Sequence, residues 1–118
     1  MPPRDSFSLF FVQEMLENCS MLEERVASFS MTRDSYANST LYQDMLTMPM
    51  IWICEVAKLY RADLEKLAPG YDWKSVGAMR DKMAYPYGGF DYGFVWDAVE
   101  VDVPSLKAVC EEILNSDR

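Results

Sequence analysis

Apolar residues recur at steps of three and four along most of the chain. Val12, Met15, Cys19, Leu22, Val26 and Phe29 mark one face from about residue 6 to 30, the period of an amphipathic helix whose start Asp5 or Ser6 can cap. The polar stretch from Thr32 to Thr40, with Asp34, Ser35 and Asn38 in it, reads as a loop or a frayed helix start. Leu41, Met45, Met48, Trp52, Val56, Leu59 and Leu67 form a second apolar series, about seven turns long at 3.6 residues per turn. Pro49 lies inside it. Proline lacks the backbone donor and its ring meets the carbonyl four residues back, so the pattern predicts a kink near Met45–Pro49 or two abutting helices. Pro69-Gly70 ends the segment.

Asp72 is placed to cap a third helix carrying Trp73, Val76, Met79 and Met83 inward, with Pro86 and Gly88-Gly89 as its stop. Asp91 can cap a short fourth helix with Val95, Trp96 and Val99. Asp102, followed by Pro104 in the first turn, opens a fifth with Leu106, Val109, Cys110, Ile113 and Leu114 as its buried stripe. Phe90, Tyr92, Phe94 and Trp96 alternate like a strand, but the run is short and lies between helices. The expectation is all-α: one domain over residues 1–118, a bundle of about five helices in up-down order.

Composition narrows the function classes. Half of the 118 residues are apolar and 14% are aromatic, enough for a real core and against disorder. Eleven basic against nineteen acidic residues give a net charge of −8, which repels phosphates at long range and argues against broad nucleic-acid binding. A local basic spot would need a few residues such as Arg80 and Lys82. Cys19, Cys54 and Cys110 are odd in number and widely spaced, so they read as small buried hydrophobes in a reducing compartment. The chain has no histidine, which excludes a Cys/His zinc site, and no metal or cofactor is expected. The opening MPPRDSFSLFFVQEML is too short in its apolar run for a signal segment, and no stretch approaches the ~18 apolar residues of a membrane span. A cytoplasmic protein is the expectation.

The stretches ICEVAKLY, DWKSVGAMRD and YGGFDYGFVWDAVEVDVPSLKAVCEEIL, in this order and spacing, resemble the HepT-like family of the HEPN superfamily. The resemblance runs from about Asp44 to Leu114; before it the likeness is only an amphipathic helix. It implies a helical bundle that dimerises, a toxin–antitoxin component encoded beside a minimal nucleotidyltransferase, and a metal-independent ribonuclease activity in active relatives. The family motif, arginine, a polar residue, three others, histidine, one other and tyrosine, is written here Arg80-Asp81-Lys82-Met83-Ala84-Tyr85-Pro86-Tyr87.

The motif has a chemical logic. An arginine fork suits two phosphate oxygens and the charge that grows on them. Histidine suits proton transfer because it titrates near working pH. Tyr85 stands at the histidine position, and a phenol ordinarily ionises near pH ~10, about three units too high for a ready base. The second-helix register that carries polar groove residues in the family reads Met48, Pro49 and Ile51 here, all apolar. Both departures predict an impaired site. By the same resemblance Tyr87 is the position to which the partner nucleotidyltransferase attaches AMP; it lies two turns from Arg80 if the helix persists that far.

Plainer roles stand beside these. Arg80 can form a structural ion pair, with Glu55 on the preceding helix the candidate partner, and Asp81 can be solvated or capping. The aromatics from Tyr85 to Trp96 can be core or interface residues, since base stacking usually comes with a basic groove. Three hypotheses follow: a HepT-like homodimer with a degenerate RNA site, a non-enzymatic helical module that binds a protein or ligand, or a protein whose main event is AMP transfer onto Tyr87.

Overall fold

A computed structural model of the chain describes residues 6–116, with side chains from residue 9 onward. The cap expected from Asp5 or Ser6 lies outside the described side chains. The helices are α1 (Ser6–Ser28), α2 (Arg33–Ala37), α3 (Thr40–Leu59), α4 (Arg61–Leu67), α5 (Trp73–Met83), α6 (Tyr92–Asp97) and α7 (Val103–Ser116), with a π turn, Ala98–Asp102, between the last two. Among the described residues the fold is all-α, and pairing across helices gives its up-down order. Phe11 stacks on Tyr60 and Arg25 reaches Met45, so α1 and α3 run antiparallel. Lys107 donates to Glu23, which sets α7 antiparallel to α1. Glu55 meets Arg80 while Lys58 meets Gly77, which does the same for α3 and α5.

The core follows the predicted faces for the most part. Val12, Met15, Cys19, Leu22, Leu46, Met50, Ile53 and Cys54 are fully buried, as are Met83, Val95, Val103 and Cys110. Phe29, Leu41, Met48 and Leu59, assigned by periodicity to buried faces, are instead exposed. Leu41, Met48 and Leu59 lie on one side of α3 that no described element covers.

Several boundaries differ from the sequence reading. The polar stretch after α1 holds a helix of its own, α2, closed by a reciprocal cap in which Thr32 and Ser35 bond each other's backbone N–H. Helix α3 passes Pro49 without a break, and its interruption comes at Tyr60 instead. Pro49 leaves the Met45 carbonyl without its helical donor, and the Arg25 guanidinium on α1 supplies one at 2.5 Å. Two residues earlier, the Thr47 hydroxyl donates to the Gln43 carbonyl at 2.7 Å.

Asp72 and Asp91 cap α5 and α6 as expected, accepting from the backbone N–H of Ser75 and Phe94. Asp102 does not cap a separate helix. It lies in the π turn, where the Val103 N–H reaches back five residues to the Ala98 carbonyl. The wider turn relieves the clash that the Pro104 ring would have with Glu100, so α6 and α7 form one continuous rod. The alternating Phe90–Trp96 run gives only an isolated bridge, Ala84 to Phe90, before α6 begins.

Candidate functional site

Two helices and one turn hold the motif residues. Gly77 lies against α3 so closely that an added Cβ would come within 3.1 Å of the Lys58 backbone. That approach sets the separation of α3 and α5 and brings their next turns together. There Glu55 and Arg80 form an ion pair through Nε of the guanidinium, both side chains about half exposed. Nη1 of Arg80 lies 3.8 Å from the Asp81 carboxylate. Arg80 is therefore open to water, yet flanked by two carboxylates, and the local charge at the guanidinium is negative overall.

Helix α5 ends at Met83, before the tyrosines. Ala84 is extended, and Tyr85-Pro86-Tyr87-Gly88 closes a turn in which the Gly88 N–H donates to the Tyr85 carbonyl at 3.1 Å. Gly88 and Gly89 hold φ of +90° and +91°, which only glycine adopts freely, and the Tyr85 N–H donates to the Gly89 carbonyl at 3.0 Å. Tyr85 and Tyr87 stack on one another, ring centroids 5.4 Å apart and nearly parallel. Tyr87 is 83% exposed and Tyr85 42%. The expectation of Tyr87 two helical turns along from Arg80 is thereby corrected, because Pro86 ends the helical path.

The motif thus falls into two groups: Arg80 with Glu55 and Asp81, and the tyrosine pair on the turn. Among the described residues no hydrogen bond or ion pair joins the two. Of the apolar residues read as lining the groove, Met48 is exposed and Ile51 half-buried, whereas Pro49 is buried in the core and cannot line it. A cavity of about 600 Å³ beside this stretch is lined by Phe11, Trp52, Val56, Leu59 and Tyr60 together with Glu55 and Lys58, so Glu55 borders a largely apolar recess on one side and Arg80 on the other.

The three thiols, on α1, α3 and α7, are buried and free of disulfides. Burial pushes Cys19 and Cys54 up to about 12 and Cys110 in the same direction, so none supplies a thiolate nucleophile near neutral pH. No group of acidic or sulfur ligands among the described residues could hold a metal ion. No described helix is long and apolar enough to cross a membrane.

The profile of the Ribonuclease HepT-like family matches residues 15–113, which takes in every helix from the body of α1 to α7. The chain belongs to the HepT-like ribonuclease family. Among its relatives, "Putative RNase TTE0752" of Caldanaerobacter subterraneus is 23% identical over 108 residues, covering 92% of this chain and 95% of that protein. "Probable ribonuclease HepT" of Thermococcus cleftensis is 36% identical over 61 residues, 52% of this chain and 56% of that one. A Methanocaldococcus jannaschii protein named "Gamma-glutamylcyclotransferase and putative RNase MJ0434" is 30% identical over 104 residues, 88% of this chain but 45% of its own length. No solved structure matches the chain.

Sequence reading of this HepT-like chain missed a third group of residues. Lys58 at the end of α3, Arg61 at the start of α4 and Lys74 in the first turn of α5 converge on a cavity of about 250 Å³ floored by Gly77 and bounded by Asp81. The available signal was the charge distribution. Residues 58–82 hold six of the eleven basic residues and only four of the nineteen acidic ones.

Proposed function

We propose that this chain is the HepT-like component of a toxin–antitoxin pair, a homodimer whose inherited RNA-cleaving cleft has lost most of its catalytic power. The observation that carries the reading is the setting of the motif. The arginine is present and open to water, but two carboxylates flank it, and Tyr85 takes the histidine position on a turn beyond the helix. With no histidine in the chain, the ordinary proton carrier for phosphodiester cleavage is missing. The Arg80–Glu55 pair is half-exposed and of the kind worth about 0–1 kcal/mol, so a phosphate can displace Glu55 and bind. Binding would survive where proton transfer does not.

Purified protein is expected to cleave single-stranded RNA barely above background. Tyr85→His should raise the rate by up to about 100-fold, the lower range of general acid–base catalysis, and adding Arg80→Ala should abolish the gain. Robust cleavage by the native sequence that disappears on Arg80→Ala alone would overturn the impaired site.

The exposed side of α3 supports the homodimer. Leu41, Met48 and Leu59 are each more than 60% exposed, and Met45 and Trp52 lie half-buried between them at helical spacing. A second copy of the same stripe is the occupant in this reading. Sedimentation should give the mass of two chains, and Met48→Glu should shift it to one; a native chain that sediments singly rejects the dimer.

A minimal nucleotidyltransferase is the partner in the same reading, with Tyr87, exposed at the tip of its turn, as the AMP acceptor. Incubation with that partner and ATP should add one AMP mass at Tyr87, and uptake undiminished in Tyr87→Phe would remove this role. The non-enzymatic module remains the second reading, favoured by the apolar recess beside Glu55.

A further inference from the structure

We infer that Lys58, Arg61 and Lys74 form a phosphate subsite that holds a backbone phosphodiester of the RNA strand whose neighbouring phosphate meets Arg80. The inference deepens the proposed RNA reading and rests on it for the identity of the strand. Three observations carry it.

The first is convergence. The three cations come from three different helices, yet all line one cavity of about 250 Å³, large enough for a phosphate group but not for a folded partner. Gly77 lets α3 and α5 approach beside the cavity, since an added Cβ would come to 3.1 Å from the Lys58 backbone, and so brings Lys58 and Lys74 to one cavity.

The second is availability. Of the other described cations, Arg25 is held on the Met45 carbonyl, Arg33 on Asp97, Arg80 on Glu55 and Lys107 on Glu23, while Lys66 and Lys82, also without an ion pair within 4 Å among the described residues, lie outside the cavity. Arg61 pairs with Glu65 on its own helix at 2.8 Å, an exposed i,i+4 pair that a phosphate can outcompete. Lys58 and Lys74 form no ion pair within 4 Å among the described residues and are exposed. On a chain of net charge −8, the cavity gathers Lys58, Arg61 and Lys74 against the single carboxylate of Asp81 in its lining, a local excess of positive charge that favours an anion.

The third is continuity with the motif. Asp81 lines this cavity and also lies 3.8 Å from Nη1 of Arg80, so the basic cavity and the arginine are separated by one carboxylate. Lys74 precedes Arg80 by six residues on the same helix, about 9 Å along the axis at 1.5 Å per residue. A short extended strand spans that distance. Asp81 repels both phosphates, which places them on either side of it and fixes the register of the strand rather than its sequence.

Binding and cleavage can be read separately. An uncleavable, fluorescein-labelled 2′-O-methyl oligoribonucleotide is titrated by anisotropy across a salt series with the full chain. The Lys58→Gln, Lys74→Gln double variant is expected to lower the slope of log affinity against log salt by about 1.4, at about 0.7 per lost single-strand phosphate contact. Lys66→Gln on α4, outside the cavity, should leave the slope unchanged. All three positions are exposed, and unchanged thermal unfolding verifies that the variants fold. Inorganic phosphate should compete with the oligonucleotide for the native chain and lose that effect in the double variant.

A double variant with the native slope overturns the subsite, as does a native chain that fails to bind the oligonucleotide. Stabilisation by phosphate without any oligonucleotide binding would mean a small-anion site and would equally overturn the strand. Loss of slope in the double variant stands as support even where the native chain never cleaves RNA, so the subsite and the catalytic reading fail independently.

Discussion

Raising the pH from about 8 to about 10 should cost the folded chain about 4 kcal/mol, at about 1.4 kcal/mol for each of three thiols. Cys19 is shifted up to about 12, chiefly by burial and then by Glu23, with Lys107 opposing. Cys54 rises to about 12 by burial first, with Glu55 and Asp102 adding and Arg80 opposing. Cys110 moves the same way, again mainly through burial. In the unfolded chain such thiols ionise near their ordinary value of 9.0. As the pH passes that value, the unfolded chain releases protons that the folded chain retains. Alkali therefore draws the equilibrium toward unfolding, while the stability is fully present below about pH 9.

Tyr36, pushed up to about 12 mainly by burial, acts in the same direction above about pH 10. Urea unfolding under reducing conditions at several pH values measures the loss. Replacing one thiol, as in Cys54→Ala, should flatten the dependence by about a third. A midpoint that stays constant to pH 10 would show that the thiols are less enclosed than the packing requires. The total is a large part of the ~5–15 kcal/mol typical of a domain.

Trp73→Ala should destabilise the chain by about 3–5 kcal/mol. Trp73 is 1% exposed, opens α5, and donates from its indole N–H to the Ala68 carbonyl at 3.1 Å. Its ring lies against Tyr71, centroids 4.9 Å apart. The side chain therefore ties the link after α4 to the first turn of α5, the helix that presents Arg80 to Glu55. Truncation removes a large apolar area and one of the two donors to the Ala68 carbonyl, which keeps the Tyr71 N–H. Trp73→Phe keeps most of the area and should cost about 1 kcal/mol, the net worth of the hydrogen bond. Denaturant unfolding followed by circular dichroism separates the two, and an alanine variant within 1 kcal/mol of the native chain would refute the anchoring role.

The two results bear on function differently. The thiols report on the core that all three long helices share. Trp73 reports on the placement of one helix, so its loss should also weaken any binding that needs Arg80 and Lys74 on a fixed rod.

Where structure is local, the residues alone were enough. Asp72 and Asp91 cap their helices because the acceptor oxygen and the orphan N–H lie three residues apart in sequence, and no distant group is needed. The faces of α1, α5 and α7 follow from spacing, since side chains three and four apart share a side of any helix. The motif, and with it the family, was legible from Arg80 to Tyr87 for the same reason, as was the absence of histidine.

Tertiary contact decided the rest. Pro49 was expected to bend or break its helix, but the carbonyl it abandons is satisfied by Arg25, twenty residues away on another helix. Pro104 was expected to begin a new helix, but a π turn absorbed its ring and kept the rod continuous. Leu41, Met48 and Leu59 carry the same periodicity as core residues, and only the packing of the other helices shows that none of the described elements covers them. The cavity of Lys58, Arg61 and Lys74 shows in the sequence only as an excess of basic residues over 58–82, because its three charges meet only after α3, α4 and α5 have packed. Periodicity records which residues share a side of one helix; which sides then meet, and which charges are left without a partner, depends on helices far apart in the chain.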